Sequence, residues 1–346
     1  MTRPARSLVV CLAAAVSSVA LAGCGGGTGG HVSTPPPGLG LIAFEKDDGI
    51  YVANPDGSGT RPLTRGRGNV VPRWAPSGHE LAFLAKRDGQ WDVYVVRPDG
   101  SGERRLTRTR AEEMTVEWAP DGLSLALVVK RRSEYTLEVV GRIGGTPRVV
   151  ASGVAGDDLP EWSPDSRRLA VVRRGTITIV DLEGVAAREL VRGTTPSWSP
   201  DGKGIAFTRG SQMYVVGVDG SGERRLGSEG SMNVVPKFSP DGQSIAFETT
   251  GGALDILSGK VGIGVVSAGG SDTEVVVTDA ADYPPVWSPD GSSLLYIRGV
   301  DEHGFVNYDV CAVRLADGKV TVIAGSDEPE YVGPAAWQTL PPEVLA

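Results

Sequence analysis

The decapeptide WSPDGKGIAF, Trp198 to Phe207, joins an aromatic strand end to a tight reversal and a fresh apolar run. In SPDG, Pro takes the second turn position, whose φ its ring already matches. Asp folds its carboxylate onto nearby backbone N–H groups, and Gly accepts the positive φ at re-entry. Variants recur as WAPSGHELAF from Trp74, WAPDGLSLAL from Trp118, WSPDSRRLAV from Trp162, FSPDGQSIAF from Phe238 and WSPDGSSLLY from Trp287, and Trp337 closes the series without its turn. The aromatic positions are 44, 44, 36, 40, 49 and 50 residues apart. That period suits a four-stranded propeller blade and exceeds leucine-rich or ankyrin repeats. Within each unit, short β-branched or aromatic runs alternate with turn residues, which excludes helical repeats of similar length. A second hairpin turn reads PDG at Pro55 and Pro98 and VDG at Val218, each followed by Ser-Gly.

Seven runs of the IAF kind begin at Ile42, Leu81, Leu125, Leu169, Ile205, Ile245 and Leu294, and seven aromatic-ended runs close at 74, 118, 162, 198, 238, 287 and 337. The sequence therefore predicts an all-β propeller of seven four-stranded blades spanning 41–340, followed by a tail at 341–346. Tyr331 to Trp337 is expected to complete the blade begun at Leu41, leaving no open sheet edge. The tryptophans and Phe238 are predicted to pack between blades. Asp121, Asp165, Asp201, Asp241 and Asp290 are expected to be structural, because one carboxylate per turn cannot supply the six to eight oxygens calcium requires. Ser166 in place of Gly and Ser77 in place of Asp predict altered geometry in two turns.

These repeats resemble the propeller repeat of the TolB family, which also forms the amino-terminal propellers of prolyl-oligopeptidase-like peptidases. The resemblance runs over nearly all of 41–337. It implies a propeller that binds a protein or peptide partner at the cell envelope. TolB itself carries a domain before its propeller, whereas Gly25 to Gly40 here reads GGGTGGHVSTPPPGLG, a flexible tether with a stiffer proline segment that contains a solvated His31.

Upstream, Arg3 and Arg6 precede an apolar run from Leu8 to Ala20 and then Leu-Ala-Gly-Cys at 21–24. A positive start, a dozen apolar residues and small residues at the end describe a secretory signal peptide. The last four residues resemble the lipobox of bacterial lipoproteins, which implies cleavage after residue 23 and lipidation of Cys24 by diacylglyceryl and an acyl chain such as palmitate. Two or more chains give durable membrane attachment. Segment 1–23 is thus read as signal and 24–40 as lipidated tether.

With 34 basic and 42 acidic residues the formal charge is −8. Losing residues 1 to 23 removes two Arg and no acid, so the exported part carries −10. General attraction to nucleic acid is excluded on this ground. Three cysteines and three histidines leave little for a disulfide framework or a metal cluster. Cys311 is expected to pack as a small hydrophobe and His79 to be exposed in its turn. GxSxG, GxxxxGK[ST], HExxH and EF-hand patterns are missing from the sequence.

No cofactor, metal site or catalytic residue is therefore expected, and the favoured reading is a monomeric, noncatalytic binding propeller. The SPDG and PDGSGE turns should share one face. The opposite face takes the variable connections, including Thr249 to Lys260 and Gly299 to Asn307, where binding groups usually reside. Its acids, Glu112, Glu113, Asp157, Asp158, Glu161, Asp279, Asp282, Asp327, Glu328 and Glu330, are the candidate binding loops for a cationic or amide-rich partner, with Arg65 and Arg67 nearby. The other reading is an envelope hydrolase or polysaccharide lyase that uses these carboxylates together with His303, which stands beside Asp301, Glu302 and Tyr308.

Overall fold

The structure is a computed structural model that describes residues 40–339 except 157, 185, 228–232, 250–260, 271–272, 282, 303–304 and 326–331. Every described regular element is a β-strand. Five sheets have four strands, and a sixth has eight. The larger sheet is two four-stranded units tied at one bridge, Ala280↔Arg298. Among the described residues this makes seven four-stranded units, numbered here as blades 1 to 7. Their inner strands are Val332–Trp337, Asn69–Trp74, Glu112–Trp118, Glu161–Trp162, Thr194–Trp198, Asn233–Phe238 and Val286–Trp287. These strands touch in succession from blade 7 through blade 1 to blade 6.

Blade 1 is built from both ends of the described chain. Ile42 pairs with Trp337 and Ala43 with Ala336, while the other edge of Ile42–Lys46 pairs with Gly49–Ala53. Gln338 fastens the junction. Its backbone N–H donates to the Leu41 carbonyl at 2.8 Å, and its side-chain oxygen accepts from the Leu41 N–H at 2.8 Å. Its amide nitrogen donates to the Gly78 carbonyl of blade 2 at 2.7 Å. Gln338 thus performs across the chain ends what a serine performs within each SPDG turn.

The core consists of interfaces between blades. Ile42, Phe44 and Ala53 pack on Leu295, Ile297 and Val310 of blade 7, while Ala43, Ile50 and Val52 meet Trp74, Leu81 and Phe83 of blade 2. Alternate residues of one strand therefore serve opposite neighbours, which is why the second strands read as unbroken apolar runs. Cross-strand aromatic pairs recur in register, Phe44 with Tyr51 at 6.1 Å and Phe207 with Tyr214 at 5.5 Å between centroids. In blade 6 the tyrosine position is Gly264, and a Cβ there would lie 2.4 Å from the Phe247 ring. Cys311 is fully buried in the core between blades 6 and 7, and burial pushes its thiol up to about 12.

Four of the tryptophans that end inner strands also bond across the interface, while the buried Nε1 groups of Trp74 and Trp337 find no acceptor among the described residues. Trp118, Trp162, Trp198 and Trp287 donate from Nε1 to the carbonyls of Arg73, Glu117, Glu161 and Lys237 of the preceding blade, at 2.9 to 3.2 Å. Phe238 has no such donor, and its backbone N–H instead bonds the Ser197 hydroxyl at 3.2 Å.

The SPDG turns follow the predicted chemistry. In the blade 6 turn, Asp241 Oδ1 accepts from the Ser239 hydroxyl at 2.6 Å and from the Gln243 N–H at 3.0 Å. Such bonds hold the Asp201 and Asp241 carboxyls below the usual range. Asp121, Asp165, Asp201 and Asp290 accept in the same way from the backbone two residues on. Ser166 corrects one expectation: it adopts φ 60 and repeats the glycine geometry, and its hydroxyl accepts from the Asp121 N–H of the previous blade. At Ser77 the hydroxyl replaces the carboxylate with a longer 3.4 Å bond to the His79 N–H. Replacing buried Ser239 by Ala would orphan the Ser244 N–H as well as the Asp241 contact. A loss of about 1–3 kcal/mol is expected, read as a lower urea midpoint at constant slope.

Candidate functional site: channel belt and loop face

The residue before each inner-strand aromatic is Ala336, Arg73, Glu117, Glu161, Ser197, Lys237 or Val286. Four of these are charged, and they meet at the ring axis. Arg73 Nε donates to Glu117 Oε1 at 2.5 Å, and Lys237 Nζ donates to Glu161 Oε2 at 3.2 Å. Glu161 and Lys237 belong to blades 4 and 6, so their contact passes over blade 5, where the small Ser197 leaves room. The four side chains are 19% to 26% exposed, which places them deep but in touch with water. Burial raises the Glu161 carboxyl, opposed by the Lys237 ammonium and reinforced by the nearby Glu117 charge. Two cations and two anions cancel, so this belt gives the channel no net charge and commits both carboxylates to partners.

Glu161 is therefore a channel residue on a strand and not the loop residue predicted from the sequence. Glu113 requires a second correction. It is buried, and it accepts from the Val93 N–H at 2.8 Å, the Thr107 hydroxyl at 2.6 Å and the Thr109 hydroxyl at 3.1 Å. It sews blade 3 to blade 2 and is not available to a partner. Asp158 accepts from the Thr195 N–H at 3.2 Å, where Thr195 adopts φ 48. The same left-handed bulge recurs at Val71, whose N–H bonds Glu45 Oε1 at 2.5 Å, and at Val235, bonded to the Thr208 hydroxyl at 3.0 Å. Bulges of this kind bend an inner strand and leave one N–H for a neighbouring blade to satisfy. Glu112 is exposed and 3.6 Å from Lys130, and Asp279 is half-buried on Thr273–Ala280. Asp157, Asp282, His303, Asp327, Glu328, Glu330 and Cys24 lie outside the described residues.

Burial pushes Glu45 and Glu113 each up to about 7 from 4.5. A carboxyl raised by folding binds its proton more tightly in the native than in the unfolded state. Stability therefore falls as pH rises between about 4.5 and 7, by on the order of 3 kcal/mol per group. The melting temperature is expected to be higher at pH 5.5 than at pH 8. Glu45→Gln keeps an acceptor for the Val71 N–H and should flatten that slope, measured by calorimetry across the range.

The loop face is set by the hairpins between second and third strands and by the connections between blades. Among the described residues its longest strands are those of the blade 7 hairpin, Ser293–Glu302 and Phe305–Arg314. Around blades 2 to 5 the tips are basic: Lys86 and Arg87, then Lys130 to Arg132, then Arg173 and Arg174, then Arg209. The intervening connections add Arg65, Arg67, Arg108 and Arg110, and Arg192 ends the outer strand of blade 4. The acidic reading of the loops named only Arg65 and Arg67 of these residues. The signal was available as the KR, KRR, RR and TR tips of four successive repeats. No group of three or more His, Cys, Asp or Glu able to hold a metal occurs among the described residues.

Solved structures of low identity share the fold. TolB from Acinetobacter baumannii is 17% identical with a TM-score of 0.56, covering 86% of this chain and 82% of its own. Oligogalacturonate lyase from Vibrio parahaemolyticus is 15% identical with a TM-score of 0.63, covering 84% and 87%. A puromycin hydrolase is 16% identical with a TM-score of 0.57, covering 77% of this chain and 49% of its own. A TolB protein, a lyase and a hydrolase thus share one scaffold, which fixes the architecture without choosing an activity. No curated protein matches the chain. The family model for the TolB beta propeller domain matches residues 138–323, just over half of the chain. Together with the ring of four-stranded units, that match shows that this chain belongs to the TolB beta propeller domain family.

Proposed function

We propose that this protein is a lipid-anchored, noncatalytic binding module of the cell envelope that engages a protein partner through its loop face. The observation that carries the reading is the exit point of the chain. Leu41 is bonded to Gln338 and thereby placed beside the Gly78 turn, on the face of the SPDG turns. A tether ending there directs the loop face away from the lipid on Cys24, toward partners. On random-coil scaling its 16 residues span roughly 20 to 25 Å, enough to let the ring turn without burying that face. Two further facts support binding over catalysis: the belt carboxylates are each held by a cation, and Glu113 is consumed by three donors.

The test is crosslinking and pull-down of the full-length protein in its own cells. Cys24→Ala should move the protein out of the membrane fraction. Capture of a partner should change measurably when exposed Glu112 and Glu134 on the loop face are reversed to Lys, and should persist when Arg167 on the SPDG face is changed. Capture indifferent to the loop-face changes would overturn the assignment of the face.

A further inference from the structure

A chain of formal charge −8 gathers unpaired cations on one sector of its loop face. Arg67, Arg108, Arg110, Arg132, Arg174 and Arg192 are exposed, and none makes an ion pair among the described residues. Their neighbours do: Arg131 bonds Glu138 at 2.8 Å and Lys130 faces Glu112 at 3.6 Å. Folding does not require this arrangement. Arg132 and Arg174 occupy hairpin tips at φ 59 and 52, positions that Asp88 fills in blade 2 and that glycine fills without strain. Like charges held side by side at such tips repel one another in the free protein.

Shape coincides with charge here. An open groove runs between the blade 3 hairpin and the connection leading into that blade, with Arg110, Lys130, Arg131 and Arg132 beside Glu112 along one stretch and Arg108 and Thr109 along the next, which continues down the blade to the turn at 145–147. It is shallow and continuous, which suits an extended chain better than a compact small molecule. Guanidinium groups present planar forks that match carboxylates two hydrogen bonds at a time.

We infer that this arc across blades 2 to 5 docks an extended acidic peptide segment of the partner, its carboxylates spaced to meet successive arginines. The inference rests on the loop face being the binding face. The direction of the tether turns the arc away from the anchoring bilayer, which favours a peptide over lipid headgroups.

Fluorescence anisotropy of a labelled ten-residue oligoglutamate against the full-length protein in detergent tests it. Binding is expected at about 20 mM salt, weakening steeply toward about 150 mM, with no binding of oligolysine. Replacing Arg108, Arg110, Arg132 and Arg174 together by Ala should weaken binding by about tenfold or more, with the melting temperature unchanged because all four are exposed. Arg142→Ala with Arg167→Ala on the opposite face should leave it intact. Unaltered binding in the fourfold variant would overturn the inference. So would no binding at low salt, or arc-dependent binding of phosphatidylglycerol vesicles or polyphosphate where the peptide is ignored. If the peptide is ignored while a captured partner still depends on Glu112 and Glu134, this inference falls and the loop-face reading stands. If the peptide binds the arc while partner capture ignores every loop-face change, the arc stands and the proposed function falls.

Discussion

A chain ended before Tyr331 is expected to lose most of its stability and to aggregate. The missing strand Val332–Trp337 is the inner strand of blade 1, and with it go the buried Ala336 and Trp337 and the Gln338 fastening. Removing a buried tryptophan costs about 3–5 kcal/mol by itself, and each lost backbone bond adds about 1 kcal/mol. A domain holds only about 5–15 kcal/mol in total, so the loss approaches the whole reserve. Ile42 and Phe44, fully buried in the intact ring, would then border an unpaired strand edge open to other chains. Thermal unfolding followed with size-exclusion chromatography should show a melting temperature lower by about 10 °C or more together with large species. An unchanged transition in a monomeric truncated protein would refute the closure argument.

Trp118→Ala is the second large effect. The indole is buried between blades 2 and 3 against Val116, Leu125 and Leu127, and its Nε1–H occupies the Arg73 carbonyl at 3.1 Å. Truncation opens a cavity between two sheets that meet largely through such side chains, at a cost of about 3–5 kcal/mol. Trp118→Phe should cost about 1 kcal/mol, because it deletes the bond and keeps most of the volume. The molecule already contains this substitution at Phe238, whose backbone N–H donates to the Ser197 hydroxyl of the preceding blade in place of an indole bond. Urea midpoints of the two variants separate the packing loss from the hydrogen-bond loss. Equal losses would mean that the indole N–H, and not its volume, holds the interface.

The scaffold was legible because its instructions are local. SPDG needs four consecutive residues to make its reversal, and its repetition in phase with the IAF runs leaves one way to stack the strands. The aromatic series also revealed closure, since a first strand was left over at Trp337 for a second strand at Ile42. The site was harder to read because its contacts join residues far apart in sequence. Lys237 reaches Glu161 across an intervening blade, and no spacing within one repeat announces that pair. Glu113 looked like a loop acid because it follows Glu112, yet one step along a strand reverses the direction of a side chain. The first residue faces solvent and the second is buried beneath three donors. The basic arc was written in the hairpin tips, but an acidic total charge hid it. Net charge is a sum, and docking depends on where the terms lie.

The fastening at Gln338 also has a mechanical meaning. The strand Ile42–Lys46 is flanked on both sides, by Val332–Trp337 and by Gly49–Ala53, and the chain enters it from the end nearest the SPDG turns. A pull on the residues before Leu41 therefore runs along the strand and loads its cross-strand bonds together, in shear, where a pull across an edge would break them one at a time. An envelope protein held at its amino terminus and tugged by a partner on the opposite face would carry that tension through a strand paired on both sides. Blade 1 would be the ring's strain-bearing link, and the first to be tested whenever anchor and partner draw apart.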